Sequence, residues 1–192
     1  MSDKLLRCAL AFQNLLDIQY EIIIGRKGQL TKILLSFSET EFVHLAGLHK
    51  LVDNEFIRTA SRKKVFDGIL NGEISYNAIS QSENFGFVKE RIEYFEFLEN
   101  MLDSNEIIFK YNEKKNTFSL IQADYLLQSN FNCTEIYIFI DKLKDSDHHF
   151  CRSFFPKGER DYTAGQIKYT LLYKKKSNKK TGKSIVQYDR LS

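Results

Sequence analysis

The chain has 192 residues, 43 % hydrophobic and 28 % charged, a balance that argues against a disordered chain and suits one large domain or two packed layers. No run approaches the roughly 18 apolar residues of a membrane span. Its net charge of +3 is unevenly spread: residues 106–192 hold 16 Lys and Arg against 10 Asp and Glu, which leaves residues 1–105 acidic and gives the second half a field that steers polyanions.

The opening MSDKLLRCALAFQNLL reads as an amphipathic helix over 3–17, with Leu5, Ala9, Phe12 and Leu16 on one stripe. Arg7, Gln13 and Asn14 break the run that a secretory leader would need. IQYEIII and LTKILLSF alternate in hydrophobicity and are joined by GRKGQ, the pattern of a hairpin. That turn is read as glycine-supported, although Gly-Arg-Lys-Gly can also hold a phosphate. Ser38, with Glu41 three residues on, has capping-box spacing and opens a helix that carries FVHLAGLHKL. Further helices are expected at 61–71, stopped by Asn71-Gly72, in a short turn at 75–81, and at 84–102, where Val88, Ile92, Phe95, Leu98 and Leu102 form the apolar stripe. The period then changes from 3.6 to 2. EIIFKYN, TFSLIQA, EIYIFID, HFCRSFF, QIKYTLLYK and SIVQYDR are six candidate strands with short connections. The expected fold is α+β and a single domain over 1–192. Its mainly helical layer, residues 1–105 with the small hairpin, packs on an antiparallel meander sheet at 106–192.

Three separated cysteines, Cys8, Cys133 and Cys151, make no Cys-x-x-Cys pair, and their odd number argues against a disulfide framework. A reduced, cytoplasmic protein is expected. No phosphate-loop, dinucleotide-binding or zinc signature is present and no carboxylate cluster suggests magnesium, so neither cofactor nor metal is expected.

Five groups of residues carry chemistry. On one continuous helix His44 and His49 would lie about 140° apart, so at most one would point into a given cleft. Gly47 between them costs about 1 kcal/mol relative to Ala and implies close packing or the approach of a ligand. His148 and His149, after the polar turn KDSD, would face opposite ways at a strand start, in a solvated or capping role. In FCRSFFPK alternation places Phe150, Arg152 and Phe154 on one face and Cys151, Ser153 and Phe155 on the other. Arg152 between aromatics fits either the rim of an anion site or a buried ion pair. Lys168 and Thr170 share one face of β-strand IKYTLLY, Tyr169 and Tyr173 the other. KKKSNKKTGK sets six lysines in ten residues at a hairpin tip, read either as a solvated turn or as a phosphate clamp led by Lys174, Lys175 and Lys176.

FVHLAGLHKL, FCRSFFPK and YTLLYKKK, together with EIIFKYNEKKNTFSLIQADYLL, resemble the phage-associated nuclease group of the barnase–EndoU–colicin–RelE fold, in its fourth type. The likeness spans nearly the whole chain. It implies helices followed by an antiparallel sheet, and a metal-independent ribonuclease of phages or mobile elements that acts as a toxin. It singles out His44 as acid–base group, Arg152, Ser153 and Thr170 beside it, and Lys168, Tyr169 and Tyr173 as substrate contacts. RNA is the implied partner, with an inhibitor or host protein as a second. No oligomeric state is implied. Some relatives of the fold keep the scaffold with weak or no activity, so the alternative is a silent binding module that uses the same basic face to hold RNA or block an enzyme.

Overall fold

The structure, a computed structural model, describes residues 3–104, 107–116 and 119–191. The chain divides into two compact units. The first comprises the described part of Met1–Leu16 with Ser38–Glu99, and the second Asp17–Phe37 with the described part of Asn100–Ser192.

The first unit is helical: α1 Lys4–Leu15, α2 Phe42–Leu45, α3 Glu55–Thr59, α4 Arg62–Leu70, α5 Tyr76–Ser80 and α6 Gly86–Phe95. Helix α7 Leu98–Ser104 carries the chain on into the second unit. Side chains close the exposed starts. Asp3 accepts the Leu6 N–H with one carboxylate oxygen and the Tyr76 N–H with the other, joining the starts of α1 and α5. Ser61 caps α4 and Ser75 caps α5 in the same manner. The core is aromatic. Phe42 lies 5.7 Å from Phe12, 4.9 Å from Phe66 and 5.2 Å from Phe95 by ring centroids, in tilted and edge-on contacts that add to simple burial.

Two helical expectations fail locally. The helix expected from Ser38 is broken into a 3-10 turn Glu39–Glu41, the single turn α2 and a second 3-10 turn Leu48–Lys50. Ser38 makes no side-chain cap, its hydroxyl meeting Thr40 instead. The break is Gly47, whose φ of +78° lies in the left-handed region that only glycine enters without strain. The long helix expected at 84–102 is interrupted between α6 and α7, although every residue of its stripe is buried.

The second unit overturns the expected meander. Its strands are β1 Ile18–Arg26, β2 Gln29–Ser36, β3 Ile107–Lys110, β4 Tyr125–Phe131, β5 Thr134–Lys142, β6 His148–Pro156, β7 Ile167–Asn178 and β8 Ser184–Asp189. They form one sheet in the order β1-β2-β6-β5-β4-β3-β7-β8, and β1 also pairs with β7. Seven strands therefore close into a barrel, with β8 attached to β7. The N-terminal hairpin is two staves of that barrel rather than a feature of a helical layer. One junction, β2 to β6, is parallel and two residues long, Leu34 with His148 and Leu35 with His149. Closure removes the open edges that a flat sheet would expose. It rests on β7, which has 12 residues. One edge of β7 pairs with β1 from Thr170 to Asn178; the other pairs first with β3 over Ile167–Tyr169 and then with β8 over Tyr173–Ser177.

Tyr20, Ile22, Ile33, Leu35, Ile108, Leu127, Ile138 and Phe154 fill the inside of the barrel. A second apolar cluster, Phe109, Tyr111, Leu126, Tyr137 and Phe139, lies outside and is covered by Ile121, Ala123, Phe155 and Tyr162. This explains why β5 is buried without alternation from Ile136 to Ile140. TFSLIQA is not a strand over its described part, Ser119–Ala123. Residues 117 and 118 of that expected strand lie outside the described residues. The strand is YLLQSNF, whose polar half hid it. Among the described residues no helix is long and apolar enough to cross a membrane.

Candidate functional site

In the first unit the turn at Gly47 changes the geometry of the two histidines. With the helix broken, the rings of His44 and His49 stack, 4.4 Å between centroids and 15° between planes, instead of pointing 140° apart. A Cβ at Gly47 would lie 2.9 Å from Cδ of Arg91 and 3.2 Å from Cγ1 of Val88, so the absent side chain is also what lets α6 approach. His49 titrates below its ordinary range because of partial burial and the nearby positive charges of Arg91, Lys50 and Arg62. Lys50 is lowered for the same two reasons, burial and Arg91. Family resemblance singled out His44 rather than His49, and helix geometry kept the two apart by assuming one unbroken helix; the break at Gly47 brings the rings together.

In the second unit Lys168, Tyr169 and Thr170 line one cleft, of about 600 Å³, with Leu171, Tyr188 and Arg190. The cleft exists because β7 changes partners there: β3 pairs as far as Tyr169 and β8 begins at Tyr173. Arg190 follows the end of β8, donates its N–H to the Leu172 carbonyl at 2.8 Å, and holds its guanidinium 5.6 Å from the Tyr188 ring. Lys168 and Thr170 share one face of β7 and Tyr169 the other, so the residues that border this cleft bring cations, phenols and a hydroxyl, a composition suited to phosphate and base contact. Tyr188 and Arg190 were missed because SIVQYDR read as a plain strand.

The lysine clamp does not sit at a hairpin tip. The reversal is at Asn178–Lys183, and Lys174, Lys175 and Lys176 belong to β7, between β1 and β8. Lys174 is 2 % exposed, and its ammonium donates to the carbonyls of Leu102 (2.7 Å) and Asp103 (2.9 Å), fastening the end of α7. Lys176 donates to the Asp103 carboxylate, which also accepts from Tyr20. Burial opposes ionisation of Asp103, but hydrogen bonds from Gln187, Lys176 and Tyr20 outweigh it and hold its carboxyl below the usual range. Lys175 pairs with Glu21 at 3.2 Å. Tyr173 is half-buried in the same stretch.

Arg152 and Ser153 lie on β6, away from that cleft. The pairing of β5 with β6 passes from Ile140–Cys151 to Phe139–Ser153, so Arg152 is the extra residue of a β-bulge. The bulge cancels the expected alternation. Cys151 and Phe154 both face the barrel interior, Arg152 is exposed with its guanidinium 6.0 Å from the Phe150 ring, and Ser153 is 6 % exposed. In the strand order two staves separate β6 from β7 on one side and three on the other, so Arg152 and Thr170 stand on opposite walls.

A further cleft, of about 450 Å³, opens beside the short β2–β6 junction, lined by Thr31, Lys32, Leu34, Asp124, Tyr125, Lys142, Asp147 and His149. The neighbours His148 and His149 do face opposite ways, but His149 is only 4 % exposed, not solvated, and its Nδ1 has no hydrogen-bond partner. Burial, helped by Lys142 and opposed by Asp124, lowers its pKa. Asp124 accepts from Lys110 at 2.6 Å. Asp141, half-buried and repelled by Asp124, titrates above the usual carboxylate range. The only sequence signal for this site was the pair of histidines after KDSD.

Among the described residues no group of three or more His, Cys, Asp or Glu side chains is placed to hold a metal ion. Comparison with curated proteins and with solved structures gives no match. The model of one protein family, described as phage-Barnase-EndoU-ColicinE5/D-RelE like nuclease4, matches residues 4–191. The match covers nearly all of the residues given, and the chain belongs to this phage-type nuclease family.

Proposed function

We propose that the protein is an endoribonuclease that cuts RNA through its own 2′-hydroxyl and needs no metal ion. The observation that carries this reading is the cleft where β7 changes partners. In a chain of a nuclease family, Lys168 and Arg190 supply charge for a phosphodiester, Thr170 a hydroxyl donor, and Tyr169 and Tyr188 aromatic faces for bases. In the proposed reaction a base takes the proton of the 2′-hydroxyl and that oxygen bonds to the adjacent phosphorus. The bond from phosphorus to the 5′-oxygen breaks, and an acid protonates the departing oxygen. The products are a 2′,3′-cyclic phosphate and a free 5′-hydroxyl. The acid–base residue is His44, in the first unit, which the family resemblance picks out; imidazole is the side chain most often used for this proton transfer. Thr170 donates a hydrogen bond to the phosphate, while Arg152, exposed on its bulge on the opposite wall of the barrel, supplies charge to another part of the RNA strand.

The test is incubation with end-labelled RNA in excess chelator, beside the same sequence as DNA. RNA is cut in chelator and DNA stays whole. His44→Ala lowers the rate by roughly 10²–10⁴, and Arg152→Ala weakens binding of the RNA strand. Intact RNA after incubation with folded protein, or equal cutting of DNA, refutes the reading.

A further inference from the structure

The turn at Gly47 and helix α6 build a surface in the first unit that the sequence did not predict. Phe87 and Arg91 are one helical turn apart on α6 and therefore share a face. His49 and Lys50 follow Gly47 in the 3-10 turn, and His44 precedes it. The contacts are continuous. The His44 ring stacks on His49, the Arg91 side chain lies over Gly47, and the Lys50 ammonium sits 6.0 Å from the Phe87 ring centroid. Phe87 is 65 % exposed, unusual for so large an apolar side chain. Val88, its neighbour in sequence, is fully buried, so α6 is fixed in rotation and Phe87 is held outward by the packing of the next residue.

Two physical features define what fits here. Cationic groups crowd one another: Arg91 and Lys50 both act on His49, with Arg62 beyond them, and Arg91 acts on Lys50. The stacked imidazoles, the Lys50 ammonium and the Arg91 side chain over Gly47 present donors and positive charge to an anion from one side. Next to the cations stands an open aromatic face. Alternating positive charge and exposed aromatic rings are how proteins hold single strands without reading sequence, since every base offers a face to stack. A duplex keeps its bases paired inside and offers no such face, and an acidic peptide has no use for the ring.

We propose that His44, His49, Lys50, Arg91 and Phe87 form a subsite for one nucleotide of single-stranded RNA, with the phosphate among the imidazoles, ammonium and guanidinium and the adjoining base on Phe87. That the strand is RNA rests on the ribonuclease reading; the subsite itself does not. His49 becomes a substrate contact beside His44, and Gly47 the residue that makes the pair.

The test measures binding apart from cleavage. A fluorescent 2′-O-methyl oligonucleotide, which lacks the attacking hydroxyl, is titrated with the full chain by anisotropy, as a single strand and as a duplex. Phe87→Ala is expected to weaken single-strand binding on the order of tenfold, the range found when a stacking aromatic is truncated, and to leave duplex binding unchanged. Lys50→Gln is expected to reduce the log–log salt slope by about 0.7, the contribution of one phosphate contact on a single strand. Both changes are on the surface and leave the core intact. Unchanged single-strand affinity in Phe87→Ala, or an equal loss on strand and duplex, overturns the subsite. A parent that leaves ordinary RNA whole yet binds the modified strand through Phe87 overturns cleavage and keeps the subsite. A parent that cuts RNA, with variants that bind as it does, overturns the subsite and keeps cleavage.

Discussion

Gly47→Ala separates two roles that one residue fills. The first is conformational: at φ +78° an L-residue pays roughly 1–2 kcal/mol that glycine does not. The second is steric. The new Cβ would lie 2.9 Å from Arg91 Cδ and 3.2 Å from Val88 Cγ1. The arginine has a flexible stem and can yield, but Val88 is fully buried and cannot move without disturbing its neighbours. Overpacking of this kind adds about 1–3 kcal/mol. Gly72→Ala is the control, for Gly72 has φ +77° and nothing within 4 Å of its would-be Cβ. For a chain of this size 1 kcal/mol corresponds to about 2–4 °C in Tm. Gly72→Ala should therefore lose about 2–8 °C, and Gly47→Ala several degrees more, followed by circular dichroism on the helical signal. At a temperature where both are folded, only Gly47→Ala should also lose binding of the modified single strand, because Arg91 is displaced. Equal melting points for the two variants would refute the idea that close approach of α6 requires this glycine.

Lys174→Met should cost about 2 kcal/mol or more in urea unfolding, because the buried Leu102 carbonyl and the part-buried Asp103 carbonyl lose their donor, whereas Lys180→Gln at the hairpin tip should stay within about 0.5 kcal/mol; equal small effects would show that Lys174 fastens nothing. Native protein should react with one equivalent of a thiol reagent, at exposed Cys133, and denatured protein with three, since Cys151 is buried and burial pushes the Cys8 thiol up to about 12. His149 has a lowered pKa in the folded chain, while the unfolded imidazole takes its proton near the usual ~6.5. The unfolded state thus binds more protons between the two values, and stability should fall as pH drops below about 6.5 and level off once the folded form is also protonated. His149→Gln should flatten that decline relative to the parent in urea titrations at successive pH values; His49 shifts the same way and remains in both proteins.

Elements with strong local signals were legible. Periodicity located α1, α4, the hairpin β1–β2 and strands β5 to β8, because each buries one face or stands between turn residues. Topology was not legible, since the β1–β7 pairing that closes the barrel joins segments about 150 residues apart, and no local pattern records which strands become neighbours. Alternation failed at Arg152 because a bulge inserts one residue and shifts every later side chain to the other face. Helical geometry failed at His49 because one left-handed glycine cancels the 100° step on which the argument depended. The β4 strand was missed for a different reason. Its Gln128, Ser129 and Asn130 look like a turn, although Ser129 faces the packed interior of the barrel. The candidate residues were legible as types, but which of them share a surface was decided by these irregularities.

The closed barrel bears directly on the residues that family resemblance groups together. Seven strands spaced about 4.8 Å apart give a barrel on the order of 10 Å across. Arg152 on β6 and Lys168 and Thr170 on β7 occupy opposite walls of it, with at least two staves between them. If each contacts the strand separately, substitutions at the two places should act independently. Arg152→Ala and Lys168→Gln should each weaken binding of the 2′-O-methyl strand, and the double variant should equal the sum of the two within about 0.3–0.5 kcal/mol, as for sites this far apart. A coupling of 1 kcal/mol or more would mean that both touch the same phosphate, which the barrel permits only if the bound strand crosses its mouth. Lys168→Gln with Arg190→Gln is the positive control, since those two side chains line one cleft and should couple. Additivity in the first pair together with coupling in the second would divide the surface of the second unit into two separate phosphate contacts, and Arg152 would then act on the strand rather than beside Thr170 on the scissile phosphate.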